Sequence, residues 1–128
     1  QGISVEPVIG PSSILLALIA SGLNGQAFCF HGYLSPKRPQ LRKELQRLEQ
    51  EIRRSGSTQI FMETPYRNQQ VVEEVLQTVS SNLAFGIAAD LTLPSQFIQT
   101  RPIKIWRQDP PPNLHKRPAI FLLGRLQS

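Results

Sequence analysis

Ile60-Phe61-Met62, three apolar residues suited to a buried strand, run without a spacer into Glu63-Thr64-Pro65-Tyr66-Arg67, and a helical pattern begins directly behind them. That succession constrains the chain more than any other stretch, because it reads as a strand, a polar turn and a helix. In open α/β sheets ligands sit beyond the carboxyl ends of the strands, where a following helix also points its N-terminus. The remaining sequence reads as scaffolding for that edge.

Apolar residues Ile3, Val5, Val8 and Ile9 predict a strand within the first nine residues. Gly10-Pro11-Ser12-Ser13 then turns the chain into a helix over residues 14–20, stopped by Ser21-Gly22. Proline suits a first helical turn, serine can satisfy free N–H groups, and glycine suits the far end. This helix is apolar nearly all round, so it is expected to be buried on more than one side. Residues 27–33 form the next predicted strand, with phenylalanines at alternate positions 28 and 30. Pro36 opens a long polar helix reaching about Arg54, with Leu41, Leu45, Leu48 and Ile52 on one stripe.

The strand at Thr58–Met62 leads into the opening turn, where Thr64 is expected to cap a helix with Pro65 at its first position. Val71, Val72, Val75, Leu76 and Val79 supply that helix's apolar face. A strand at Leu83–Ala89 ends in Asp90-Leu91-Thr92, residues 97–105 are expected to be strand-rich with an interruption at Pro102, and Pro118–Leu123 forms the last strand. The fold class is therefore α/β, with a mixed parallel and antiparallel sheet and helices on both faces. An isolated Rossmann domain fits poorly, since the sequence has no Gly-x-Gly-x-x-Gly, no P-loop and no Gly-x-Ser-x-Gly elbow.

At 128 residues and 40% hydrophobic, the chain suits one domain or a piece of a larger protein and can bury a core. A formal charge of +5 is compatible with nucleic acid, phosphate or a carboxylated small molecule, and does not choose among them. Half of the 14 basic residues, namely Lys37, Arg38, Arg42, Lys43, Arg47, Arg53 and Arg54, lie on the long helix. Because Glu44, Glu49 and Glu51 are interleaved with them, the simpler reading is a solvated, ion-paired face and the sharper one a phosphate-contacting patch. The single Cys29 excludes an internal disulfide and lacks companions for a zinc site, so it reads as a buried packing residue in a reducing, cytoplasmic setting. His31 reads as a hydrogen-bonded structural histidine rather than an acid or base. Neither a signal-peptide pattern nor an apolar run long enough to span a bilayer is present in the sequence, and no membrane association is expected.

Taken in order, Val8-Ile9-Gly10-Pro11-Ser12-Ser13, Phe30-His31-Gly32-Tyr33-Leu34, Glu63-Thr64-Pro65-Tyr66-Arg67, Ala88-Ala89-Asp90-Leu91-Thr92 and Ala119-Ile120-Phe121-Leu122-Leu123 resemble the C-terminal half of the tetrapyrrole (corrin/porphyrin) methylase family. The resemblance covers nearly the whole chain, and its nearest branch methylates a ribose hydroxyl of small-subunit ribosomal RNA. It implies an S-adenosylmethionine-dependent methyltransferase of two α/β domains. Residues 1–128 would be the C-terminal domain, an N-terminal domain would precede them, and the active protein would be a homodimer. It further implies that Gly10, Pro11, Ser12, Glu63, Thr64, Tyr66, Asp90, Leu91, Thr92, Pro118 and Ala119 line the cofactor cleft. Arg67, Lys37 and Arg38 would meet the substrate, with no metal and no assigned catalytic side chain. The sulfonium cofactor carries an activated methyl group, so the protein has chiefly to bind, align and exclude water. The chain departs from the ribosomal RNA branch around Leu91-Thr92, where Ala89, Asp90 and Leu93 replace its usual arginine, glutamate and lysine. The methyl acceptor is thus either RNA or a carboxylated small molecule, and a non-catalytic cofactor-supporting and dimerisation module is the alternative for the domain alone.

Overall fold

In the computed structural model, residues 11–126 are described. The strand expected over residues 3–9, and Gly10, lie outside the described residues. The elements run α1 (Pro11–Ser21), β1 (Phe28–Tyr33), α2 (Arg38–Ser55), β2 (Thr58–Met62), a 3-10 turn (Pro65–Arg67), α3 (Asn68–Thr78), β3 (Ala84–Ala89), β4 (Phe97–Pro102), α4 (Ile103–Gln108) and β5 (Ala119–Gly124). All five strands join one sheet in the order β1-β2-β5-β3-β4. β1 and β2 are parallel, while β5 enters between β2 and β3 antiparallel to both, with Phe61 opposite Phe121 and Phe121 opposite Ile87. β4 closes the far edge antiparallel to β3. The carboxyl ends of β1, β2 and β3 therefore share one sheet edge with the starts of β4 and β5.

Helices cover both faces, as the alternation of strand and helix patterns requires. On one face the stripe Leu41, Leu45, Leu48 and Ile52 of α2 is buried with Val71, Val72 and Val75 of α3 against Phe61, Phe85 and Phe121. The three phenylalanines stack across neighbouring strands, with ring centroids 5.7 and 5.9 Å apart. Gly86 of β3 lies between β5 and β4, where a Cβ would stand 3.0 Å from the Thr100 hydroxyl, so any larger residue would have to displace that hydroxyl by a few tenths of an ångström. α2 ends at Gly56, whose positive φ of 74° lets its N–H donate to the Ile52 carbonyl at 2.8 Å.

Four sequence expectations need correction. α1 buries Ala17 and Leu18 against Ile60, Ala84, Ala88, Ile120 and Leu122, but leaves Leu15, Leu16 and Ile19 exposed, with Ile19 at 77%. It is buried on one side only, because no described element lies over its outer stripe. Cys29 is exposed rather than packed, since β1 is an edge strand and the thiol opens onto a surface cavity. Thr64 makes no side-chain cap; a 3-10 turn intervenes, and α3 starts only at Asn68. The strand expected to continue through residue 105 ends at Pro102, and α4 follows, because Ile103 and Trp106 face inward and the Trp106 indole N–H donates to the Phe85 carbonyl at 2.8 Å.

The basic helix resolves largely into ion pairs. Arg38 meets Glu73 at 2.7 Å, Arg42 meets Glu74 at 3.0 Å, Arg53 meets Glu49 at 2.7 Å, and Arg54 pairs with Glu51. Glu74 is fully buried between α2 and α3. Burial acts to raise its pKa, but hydrogen bonds from Thr78 and Arg42 and the charges of Arg42 and Arg38 hold it below the usual carboxylate range. A carboxyl whose pKa is lowered by folding stabilises the fold above its unfolded pKa and loses that contribution as pH falls through the folded value. Glu74→Gln is therefore expected to lower stability at pH 7 by about 1–3 kcal/mol and to flatten the acid limb below about pH 4.5, read by denaturant titrations across pH. An unchanged acid limb would remove Glu74 from that role. Trp106→Phe, which removes the indole donor to the Phe85 carbonyl and part of a fully buried ring, is expected to cost about 1–3 kcal/mol by the same titration at neutral pH.

Candidate active site at the carboxyl edge of the sheet

Three turns meet at this edge: residues 63–68 after β2, residues 90–96 after β3, and residues 113–118 before β5. Two of them are held in left-handed backbone conformations that non-glycine residues rarely adopt. Asp90 has φ 52°, Thr92 φ 67° and Lys116 φ 66°. Such conformations cost of order 1–3 kcal/mol each and persist only where surrounding contacts fix them, as they do at binding sites.

The fixing contacts are explicit. The Asp90 carboxylate accepts from the Arg117 Nε at 2.7 Å and from the Ser95 hydroxyl at 3.0 Å, while Arg117 also donates to the Ser95 carbonyl at 2.8 Å. The Asp90 backbone N–H donates to the Pro118 carbonyl at 2.9 Å. Asn68, fully buried at the start of α3, donates through its amide to the carbonyls of Leu114 and Arg117 at 3.1 and 2.6 Å. Gln69 accepts from the Leu114 N–H at 3.0 Å, and the Lys116 N–H donates to the Pro65 carbonyl at 3.1 Å. Asn68, Gln69 and Arg117 thus join the three turns into one rigid rim. The sequence alone did not single out these three, though Asn113 in the 113–117 turn and a lone Asn ahead of a valine stripe were visible.

Among the residues expected to form the site, Glu63 has the most distinctive position. It is buried, and its Oε1 accepts from the Thr64 N–H at 2.7 Å, but its equally buried Oε2 has no hydrogen-bond partner among the described residues. A buried carboxylate oxygen without a donor is costly and calls for one. Asp90 lies on the same rim, engaged with Arg117 and Ser95, and Leu91 packs against the α1 side of the sheet. The backbone of Pro118 and Ala119 is occupied in pairing with β3, through Asp90 and Ala89. Leu23, just past α1, packs beside Gly124 at the opposite end of the sheet, where a Cβ built on the glycine would stand 3.5 Å from the leucine side chain, so Pro11 and Ser12 at the other end of α1 lie toward the rim. Thr64 is half-buried and Thr92 exposed. Tyr66 is 70% exposed, its ring edge-to-face with His115 at 5.6 Å.

The residues expected to meet substrate are not gathered. Arg67 is exposed on the rim, whereas Lys37 and Arg38 open α2, and Arg38 is taken by Glu73. His31 is a hydrogen-bonded histidine, as expected. Gln59 uses its amide to donate to the Ser57 carbonyl and hydroxyl, so its Oε1 accepts the His31 Nε2–H at 2.6 Å. Both residues line a cavity of about 330 Å³ between β1 and α2, with Cys29, Leu34, Glu44 and Arg47, and none of its lining residues belongs to the rim turns. No cluster of three or more histidine, cysteine or acidic side chains able to hold a metal occurs among the described residues, and no described helix is long and apolar enough to cross a membrane.

Comparison with known proteins gives these features a context. No protein-family model matches the chain. The chain is 32% identical over 96 residues to a ribosomal RNA small subunit methyltransferase I of Buchnera aphidicola, matching 75% of this chain and 32% of that protein. It is 32% identical over 102 residues to the Vibrio cholerae protein of the same name, with 80% and 34% covered. The Mesorhizobium japonicum protein of that name is 36% identical over 92 residues, with 72% and 30% covered. The chain thus spans about a third of the length of these curated relatives. Among solved structures, the methyltransferase CobJ superposes with a TM-score of 0.55 at 18% identity, covering 87% of this chain and 46% of that one. The cobalt precorrin-4 methyltransferase CbiF gives 0.53 at 14% identity, covering 88% and 48%. Homology to the ribosomal RNA methyltransferases and a fold shared with corrin methyltransferases together relate this chain to the tetrapyrrole methylase family that its motifs resemble.

Proposed function

We propose that the chain is the C-terminal domain of an S-adenosylmethionine-dependent methyltransferase acting on a ribose hydroxyl of small-subunit ribosomal RNA. In this reading the rim is one wall of the cofactor cleft, and a domain outside residues 1–128 supplies the other. The observation that carries it is the buried, unpartnered Oε2 of Glu63 at the carboxyl end of β2, on a rim that strained turns and the Asp90–Arg117 pair hold rigid. A cofactor rich in hydroxyl and amino donors answers that oxygen.

Glu63, Thr64, Asp90, Leu91, Thr92, Pro11 and Ser12 form this domain's share of the cleft, with Pro118 and Ala119 beside it. Asp90 acts there by holding the turn, since Arg117 and Ser95 occupy its carboxylate. In this reading Tyr66 is set apart from the cofactor contacts, its ring being paired edge-to-face with His115 at the outside of the rim. Bound S-adenosylmethionine brings the activated methyl group; the rim residues hold and orient the donor and keep water from it. The exposed stripe Leu15, Leu16 and Ile19 supports a covering partner for α1, which in this reading is the remainder of the protein or its second copy in a homodimer.

A second reading keeps the fold and cofactor but takes a carboxylated small molecule as acceptor. It is favoured by α2, where four of the six cations, Arg38, Arg42, Arg53 and Arg54, are spent on carboxylates and leave fewer for phosphates.

The test uses the protein at its native length. Methyl transfer from labelled S-adenosylmethionine to small-subunit ribosomal RNA supports the first reading, and transfer to a tetrapyrrole but not to RNA supports the second. Glu63→Gln is expected to weaken cofactor binding about 5- to 30-fold in a calorimetric titration, with little loss of stability. Unchanged cofactor affinity in that variant would sink the assignment of the rim.

A further inference from the structure

The rim carries a feature the cofactor reading does not use. Tyr66 and His115 are both exposed, their ring centroids are 5.6 Å apart and their planes are inclined at 73°. An edge-to-face pair leaves flat ring surface open, and Tyr66 shows 70% of its surface to solvent. Each ring is followed by a cation, Arg67 after Tyr66 and Lys116 after His115. Both cations are exposed, and neither has a carboxylate within ion-pair distance among the described residues. Of the acids on the rim, Asp90 is paired with Arg117 at 2.7 Å and Glu63 is buried.

Exposed side chains on loops are usually mobile, but here the backbone beneath them is fixed. The Lys116 N–H donates to the Pro65 carbonyl, one residue before Tyr66, at 3.1 Å. The Asn68 amide holds the carbonyls of Leu114 and Arg117, on either side of His115-Lys116, at 3.1 and 2.6 Å. The His115 N–H itself donates to the Asn113 side chain at 2.9 Å. Lys116 is kept in the left-handed region by this framework. Two aromatic rings and two unpaired cations are thereby presented on a preorganised surface.

Unpaired bases of RNA stack on tyrosine and histidine rings, while lysine and arginine neutralise the adjoining phosphates, and fixed rings lose little entropy on binding. We propose that Tyr66, Arg67, His115 and Lys116 form a docking platform for single-stranded RNA, stacking a base on the Tyr66–His115 pair and taking its flanking phosphates on Arg67 and Lys116. The proposal rests on the ribosomal RNA reading above and identifies where this domain grips the substrate. The platform stands on the same rim as Glu63, so a nucleotide held there lies at the mouth of the proposed cleft.

The native-length protein is titrated with a transcript of small-subunit ribosomal RNA by fluorescence anisotropy at several salt concentrations, and with S-adenosylmethionine by calorimetry. Tyr66→Ala and His115→Ala are each expected to weaken RNA binding about 5- to 30-fold, and Tyr66→Phe to keep it within about twofold. Arg67→Gln and Lys116→Asn, the latter chosen because asparagine tolerates the left-handed backbone, are each expected to lower the slope of log affinity against log salt by about 0.7. S-adenosylmethionine affinity stays within about twofold in all of them. Wild-type RNA binding that is unmoved by Tyr66→Ala and His115→Ala would overturn the platform while leaving the ribosomal RNA reading standing. Loss of cofactor affinity in step with RNA affinity would return Tyr66 to the cofactor cleft. Failure of the wild-type protein itself to bind the transcript would bring down both.

Discussion

The position of β5 is the constraint on which the rest of the structure depends. The last strand of the chain sits at the centre of the sheet, pairing with β2 on one side and β3 on the other. The β2 and β3 edges do not touch each other, so the β1–α2–β2–α3 half and the β3–β4–α4 half share one sheet only through residues 119–124. The stacked Phe61, Phe121 and Phe85 are the side-chain expression of that dependence, because the middle ring belongs to β5. Contacts so distant in sequence carry a loop-closure cost that burial of these rings has to offset.

The same insertion creates the candidate site. β2 and β3 run in one direction with β5 between them in the other, so the turn before β5 comes up between the turns that follow β2 and β3. Residues 113–118 then act as a keystone: Asn68 grips the turn from the β2 side and Asp90 grips Arg117 from the β3 side. The strain at Asp90, Thr92 and Lys116 is tolerable because these grips fix it, and it keeps the rim turns in one arrangement.

Much of this was legible in the sequence, for definable reasons. The Leu41–Ile52 stripe, the valines of α3 and the apolar strands were readable because period and burial agree in them. Glu63-Thr64 and Asp90-Leu91-Thr92 were readable as sheet-edge turns because polar residues break off an apolar run without a spacer. What failed did so where tertiary placement decides. Ile103 and Ile105 continue a strand-like alternation, yet the Trp106 indole finds its acceptor on Phe85 only if the segment coils into α4. Cys29 follows the burial habit of free cysteine until β1 proves to be an edge strand. Asn68, Arg117 and His115 carry no periodic signal, since their meaning lies in partners 22 to 49 residues away.

The unpartnered oxygen of Glu63 has a consequence for how this sequence can change. A buried carboxylate oxygen without a donor among the described residues is a local cost to the fold, and an uncharged substitute would lower it. Stability of the fold alone therefore argues against glutamate at this position, and in the proposed reading cofactor binding is the demand that opposes it. In this respect the domain is built slightly unfinished, and the most robust sequence for the fold is not the sequence that the site requires.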